Sequence, residues 1–161
     1  MKGYTLLEVV VVVAIIGMAM VVTFPSVSNT LEERALELAT REISSSIQTA
    51  RFLAVTAKAR HRVRFWSYQG TYAYTVESET GSTWSRARGW VDKKIPGRLS
   101  PALTLPTSLD VIFDGLGLID NFDGARNTIT LRSAKLAGLG QPSRWTIRLY
   151  ATGSVDLSSS T

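Results

Sequence analysis

The first 25 residues form a long apolar stretch that constrains how the rest of the chain can fold. From Tyr4 to Phe24, twenty-one residues include a single charged side chain, that of Glu8. A helix of this length rises about 30 Å, which matches the hydrocarbon core of a bilayer. The stretch is therefore predicted to be a transmembrane helix.

The position of Glu8 helps to distinguish between the classes of apolar N-terminal segment, such as signal peptides and membrane anchors. A carboxylate near the start of an apolar run is costly unless a partner neutralises it. A secretory signal peptide would have a longer basic region than the single Lys2. It would also have a small-residue cleavage site, where this chain has Val21 to Pro25. An ordinary single-span anchor with a stray glutamate remains an alternative.

The residues up to Glu8 follow a distinct order, namely Lys2, Gly3, Tyr4, Thr5, Leu6, Leu7 and Glu8. This order resembles the leader of type IV prepilins, although members of that family usually have Phe where this chain has Tyr4. The resemblance implies that a prepilin peptidase cuts between Gly3 and Tyr4 on the cytoplasmic side and methylates the new Tyr4 amine. It also implies that Glu8 meets the Tyr4 amine of a neighbouring subunit and sets the register of assembly.

Two residues in the apolar stretch weaken a helix. Gly17 does so through backbone entropy, and Pro25 by lacking an N–H group and clashing with the preceding turn. The resemblance to pilins suggests that the helix kinks or locally melts between them during assembly. The alternative is that Pro25 only kinks the helix where it leaves the bilayer.

The helix is predicted to continue beyond the apolar stretch, to about His61, because residues 26–60 contain neither Pro nor Gly. Apolar residues spaced by three or four positions form one stripe, which is predicted to face the core. The stripe consists of Leu36, Ala39, Ile43, Ile47, Ala50, Ala54 and Ala57.

The end of this helix resembles the GspH/FimT branch of pseudopilins and minor pilins. That branch has an Ala-Arg-x-x-Ala-Val pattern, then a basic residue and a strand. The matching residues here are Ala50, Arg51, Ala54, Val55 and Lys58 or Arg60, followed by Val63 and Phe65. Further along, Val111 to Asp114 and the Thr152-Gly153 pair also resemble this branch.

Beyond His61 the apolar residues alternate, which predicts strands. Strands are expected around Val63 and Phe65, from Tyr72 to Val76, and in five later segments: Trp84 to Val91, Asp110 to Phe113, Asn127 to Arg132, Trp145 to Tyr150 and Ser154 to Leu157. Lys93 to Pro106 is predicted to be a long loop. The expected fold is α+β, a pilin-like long helix packed on an antiparallel sheet. Its predicted parts are a leader (1–3), an assembly helix (4–25), an amphipathic continuation (26–61) and a β-rich head (62–161).

No catalytic arrangement stands out, so the chain is not expected to be an enzyme and no cofactor is predicted. It has no cysteine, which excludes thiolate metal sites and a cysteine nucleophile. The single histidine, His61, lies between two arginines and is expected to be solvent-exposed. Asp114, Asp120 and Asp123 are a weak candidate for a Ca²⁺ site, because clustered oxygen ligands can hold that ion. Such clusters also form ordinary turns.

The head is basic, with 15 Lys and Arg against 8 Asp and Glu from Ile43 onwards. Arginines that alternate near tryptophans can bind nucleic acid through phosphate pairing and stacking. The candidate DNA-binding residues are Arg60, Arg62, Arg64, Arg86 and Arg88. An ordinary solvated sheet face has the same pattern, and the C-terminal tail lacks the basic residues that many relatives carry.

The resemblance implies a structural role as a minor pilin or pseudopilin in a type II secretion pseudopilus or a type IV pilus. Its partners would be other pilins, prepilin peptidase and an inner-membrane assembly platform, and a secreted substrate is a further candidate. The protein would sit in the bacterial inner membrane with a periplasmic or extracellular head until it enters a filament. The alternative is a DNA-binding minor pilin that serves DNA uptake in natural transformation.

Overall fold

A computed structural model describes residues 5–106 and 109–161, with only the backbone at residues 21–25. The chain folds as one long N-terminal helix followed by antiparallel strands, which confirms the predicted α+β class. Helix α1 spans Leu6–Ala57, 52 residues, and is about 78 Å long at 1.5 Å per residue. A second, single-turn helix, α2, spans Ala134–Ala137.

Helix α1 is continuous through Gly17 and Pro25. The predicted kinking or melting concerns the assembled filament, so it stays a prediction. At its other end α1 stops at Ala57, four residues before the predicted end near His61. Lys58 adopts the left-handed conformation there (φ 50°) and its N–H bonds to the Ala54 carbonyl, which terminates the helix.

The strands of the head form two antiparallel sheets among the described residues. Sheet A has the order β3-β2-β1-β6, and β4 also pairs with β2. Sheet B has the order β5-β7-β8-β9. The strand bounds are β1 His61–Tyr68, β2 Thr71–Thr80, β3 Thr83–Arg86, β4 Lys93–Lys94, β5 Leu99–Thr104, β6 Asp110–Phe113, β7 Thr128–Ser133, β8 Arg144–Leu149 and β9 Val155–Ser160.

The predicted long loop from Lys93 to Pro106 is wrong, because β4 and β5 lie within it. Pro101 suggested a loop, since proline cannot donate to a strand ladder. Among the described strands, β5 is at the edge of sheet B and pairs with β7 alone, where Pro101 is opposite Leu131. An edge position tolerates proline, which explains the difference. The strand expected from Trp84 to Val91 is also shorter, since β3 ends at Arg86.

The core lies where the second half of α1 crosses both sheets. Ile43 and Ile47 are buried against side chains of sheet A, including Phe65, and of sheet B, including Ile129. The predicted apolar stripe is buried from Leu36 to Ala54; its last member, Ala57, is exposed and lies outside the core.

Polar contacts hold the head to α1 where the helix leaves the head. The Ser133 hydroxyl, which caps α2, donates to the buried Glu32 carboxylate at 3.0 Å. Arg98 lies 3.4 Å from the other oxygen of Glu32. Lys135 donates to the Ser28 hydroxyl at 2.7 Å. The part of α1 before Ser28 therefore extends beyond the head.

Candidate functional site

The first candidate site is the start of α1. Thr5 is its N-cap, with an extended backbone (φ −80°, ψ 150°) and a hydroxyl that accepts from the Glu8 N–H at 3.3 Å. Glu8 in the first turn is favoured by the positive end of the helix dipole. The predicted cleavage and methylation residues, Gly3 and Tyr4, lie outside the described residues.

The surface of α1 beyond the head is apolar and open. From Leu6 to Met20, every Leu, Ile, Val and Met side chain is between 48% and 83% exposed. Glu8 makes no ion pair with any residue in the described part of the chain. An apolar surface of this extent marks a site that contacts other apolar groups.

Over residues 5–106 and 109–161, no helix has both the length and the hydropathy expected of a membrane-crossing segment.

The second candidate site is the outer face of sheet A, where four of the five predicted DNA-binding arginines lie: Arg60, Arg62, Arg64 and Arg86. Arg62 donates to Glu77 at 2.6 Å and to Asp110 at 2.8 Å, and its guanidinium stacks 4.3 Å from the Trp84 ring centre. Arg64 lies 3.8 Å from Glu77.

The remaining arginines of this set are paired to different degrees. Arg60 pairs with Glu79 and Asp120, and Arg86 donates to Asp92 at 2.7 Å. Arg88 is exposed and has no ion pair within the described ranges. The structure thus brings Arg60, Arg62, Arg64 and Arg86 to one side of the head, but most of their charge is balanced by carboxylates.

Burial affects the acid at the centre of this network. Asp110 is 4% exposed, and burial raises its pKa because the ionised form is poorly solvated there. The positive charges of Arg62 and Arg64 oppose this rise, while the charge of Glu77 adds to it.

The structure does not gather the predicted Ca²⁺ candidates into one site. The Asp114 carboxylate accepts from the backbone N–H groups of Leu116 and Leu118, both at 2.9 Å, and so closes a turn. Asp120 pairs with Arg60, and Asp123 accepts from the Ala125 N–H. No cluster of three potential metal-binding side chains occurs in the described part of the chain.

His61 is not on the surface, contrary to expectation. It is 6% exposed, and its Nδ1 lies 3.0 Å from the Ala59 carbonyl oxygen. The reason is the strand alternation: His61 begins β1 on the same inward side as Val63, whereas Arg62 and Arg64 point outward.

Reasoning from the sequence missed a junction of three segments around Arg51. The Arg51 Nε donates to the Gly117 carbonyl at 3.1 Å, and Gly153 packs directly against both. The loop that contains Gly117 and the loop that contains Gly153 are also joined by the Ile119 N–H, which donates to the Ala151 carbonyl at 3.0 Å. The available signals were the Ala50-Arg51 and Thr152-Gly153 matches, which the structure brings together.

Residues 1–24 match the family model described as the prokaryotic N-terminal methylation motif. Neither the curated proteins nor the solved structures contain a match to this chain. The motif is that of prepilin-type proteins and supports a type IV pilin-like protein that prepilin peptidase processes. Together with the fold, it indicates a structural protein and assembly into pilus-type filaments.

Proposed function

We propose that this chain is a minor pilin or pseudopilin of the GspH/FimT type, a structural subunit of a type II secretion pseudopilus or a type IV pilus. Prepilin peptidase removes residues 1–3 and methylates the amine of Tyr4. The mature chain then polymerises through α1. The main support is the exposed apolar part of α1, which begins at the methylation motif and extends beyond the head.

Before assembly, this part of α1 is held in the bacterial inner membrane, with the head on the periplasmic side. Its exposed Leu, Ile, Val and Met side chains support this location, because moving apolar side chains from water into lipid lowers the free energy. In the filament, the same side chains pack against α1 helices of other subunits. The assembly platform in the membrane is the partner that extracts the subunit.

The role of Glu8 follows from its surroundings. Its carboxylate lies among exposed apolar side chains and has no ion pair within the described residues. Burying it in a filament is tolerable only beside a cation, and the Tyr4 amine of a neighbour supplies one. Glu8 therefore sets the axial register between subunits.

Processing is the test of this proposal. The full-length chain is expressed in a bacterial membrane with and without a prepilin peptidase, and the intact mass is measured. The expected product starts at Tyr4 and carries one added methyl group, and Gly3→Val should remain uncut. Glu8→Leu should be cut normally but should not enter filaments. An uncut wild-type chain in the presence of an active peptidase would contradict the proposal.

The alternative, a minor pilin that binds DNA for natural transformation, remains a hypothesis. It has less support, because Arg60, Arg62 and Arg86 are held by carboxylates. An arginine that must leave a carboxylate to bind a phosphate gains less binding free energy than an arginine that has no such partner. If this alternative holds, the full-length chain binds duplex DNA with an affinity that falls steeply with salt, and replacing the five candidate arginines by alanine abolishes it. Binding that is absent at low salt rules it out.

A further inference from the structure

The outer face of sheet A carries a groove that lies apart from the methylation motif and from the exposed apolar part of α1. Strand register places Trp66 opposite Ala73 and Arg64 opposite Thr75, all on the side facing away from α1. Two adjoining depressions of about 390 Å³ and 480 Å³ share Trp66 and Asp92. Together they form one groove with a floor of small residues.

Aromatic side chains form one wall of this groove. Tyr68 is 68% exposed and Trp66 is half-buried. They are two residues apart on β1, so their side chains share a face about 7 Å apart. An aromatic pair that lines a groove offers flat surfaces, whose negative ring faces attract the partly positive C–H groups of a sugar ring.

The floor of the groove holds an unpartnered hydroxyl. Thr75 is 4% exposed, and its Oγ1 has no hydrogen-bond partner among the described residues. It lines the groove beside Arg64 and Trp66. A buried hydroxyl left unpaired is unfavourable, and a ligand hydroxyl that reaches the floor would satisfy it.

The charges around the groove are close to balanced, which argues against a polyanion. Three cations (Arg64, Arg86 and Lys94) and two carboxylates (Glu77 and Asp92) line it. Arg86 and Asp92 pair at 2.7 Å, and Arg64 lies 3.8 Å from Glu77. Paired side chains of this kind still offer donors and acceptors to hydroxyl groups.

We propose that this groove binds a neutral oligosaccharide. Sugar rings stack on Trp66 and Tyr68, and hydroxyl groups bond to Thr75 Oγ1 and to the Asp92 carboxylate. The site goes beyond the structural role and is independent of it, because it lies on the head and needs neither cleavage nor assembly.

The test uses the full-length chain in a detergent without a sugar headgroup, so that the detergent cannot occupy the groove. Four neutral hexasaccharides are titrated by calorimetry and tryptophan fluorescence: cellohexaose, chitohexaose, laminarihexaose and maltohexaose. At least one is expected to bind in the millimolar range or tighter. Failure of all four to bind overturns the proposal.

Two variants locate the binding in the groove. Tyr68→Ala is expected to weaken it about tenfold, whereas Phe52→Ala, which removes an aromatic of similar exposure on α1, should change it by less than about twofold. Thr75→Val keeps the shape of the side chain and removes the hydroxyl. It should weaken binding about fivefold without lowering the melting temperature, because the hydroxyl that it removes is unpaired.

Two results contradict the proposal even if a sugar binds. One is equal loss of binding in Tyr68→Ala and Phe52→Ala, which would place the sugar elsewhere. The other is displacement of the sugar by duplex DNA, which would make the groove a polyanion site. Peptidase cleavage of the same preparations is measured in parallel, so failure of the sugar site is distinguishable from failure of the proposed function.

Discussion

Gly153 is the residue whose replacement the structure tolerates least among those around Arg51. Its φ is +76°, and an added Cβ would overlap the Gly117 carbonyl oxygen and lie 2.8 Å from Arg51 Nε. Both neighbours are fixed, since Arg51 Nε is bonded to that same carbonyl. Glycine is needed here for the backbone conformation and also for space.

We expect Gly153→Ala to destabilise the chain by about 3 kcal/mol, the sum of a left-handed backbone penalty and overpacking. Gly140→Ala is the matched control, because Gly140 has a similar φ of +67° but nothing within 4 Å of an added Cβ. It should cost about 1 kcal/mol. Chemical denaturation of the two full-length variants measures the difference. An equal loss in the free energy of unfolding for the two variants would mean that the close packing of Gly153 against Arg51 and Gly117 adds nothing to the cost of the substitution.

Asp110 should make stability depend on pH. Burial raises its pKa, so the folded chain holds this proton more tightly than the unfolded chain does. The wild type should therefore lose stability relative to Asp110→Asn as the pH rises from about 4 through the raised pKa. Above that pKa the difference should be constant. Urea unfolding of both chains at several pH values tests this. A gain in relative stability over the same interval would contradict it.

Single residues were predictable where one local pattern determines them. The position of Glu8 in the first helical turn follows from Thr5, a good N-cap, three residues earlier. The pairing of Arg60 with Asp120 was not predictable, since the two are sixty residues apart and meet only through the sheet. His61 was mispredicted because its charged neighbours suggested exposure, whereas strand alternation determined its burial.

At the scale of elements, the second half of α1 is the part on which both sheets pack. Ile47→Ala should cost about 2 to 5 kcal/mol, because Ile47 is fully buried and its loss leaves a cavity between α1 and the sheets. Leu38→Ala on the same helix is the control: it is 66% exposed and should change stability by less than about 0.5 kcal/mol. Thermal unfolding compares them. Similar effects would mean that α1 does not carry the core.

Elements with a clear period were predicted well from the sequence. The apolar stripe of α1 and strand β6, found at Asp110–Phe113 as predicted, depend on local spacing alone. Strands β4 and β5 were missed because their pairing, with β2 and β7, is set by the fold rather than by their own residues. The division of the head into two sheets was not predictable for the same reason.

For the whole molecule, α1 links the exposed apolar surface to the head without a break. Inserting one alanine between Ser26 and Val27 should rotate the apolar part by about 100° relative to the head. We expect cleavage by prepilin peptidase to continue and incorporation into filaments to fall sharply. Val27→Ala, at the same exposed place but without rotation, should assemble normally. Filament incorporation is measured by immunoelectron microscopy. Normal assembly of the insertion variant would show that this orientation is not used.

Because the groove faces away from α1, a low affinity of each single groove for a polysaccharide can be sufficient for binding. Sheet A packs α1 on one face and carries the groove on the opposite face. Any array that gathers its α1 helices along a central axis therefore turns every groove outward. Where one filament contains several copies of this subunit, they would hold one long polysaccharide at several points at once, so avidity would exceed the affinity of any single groove.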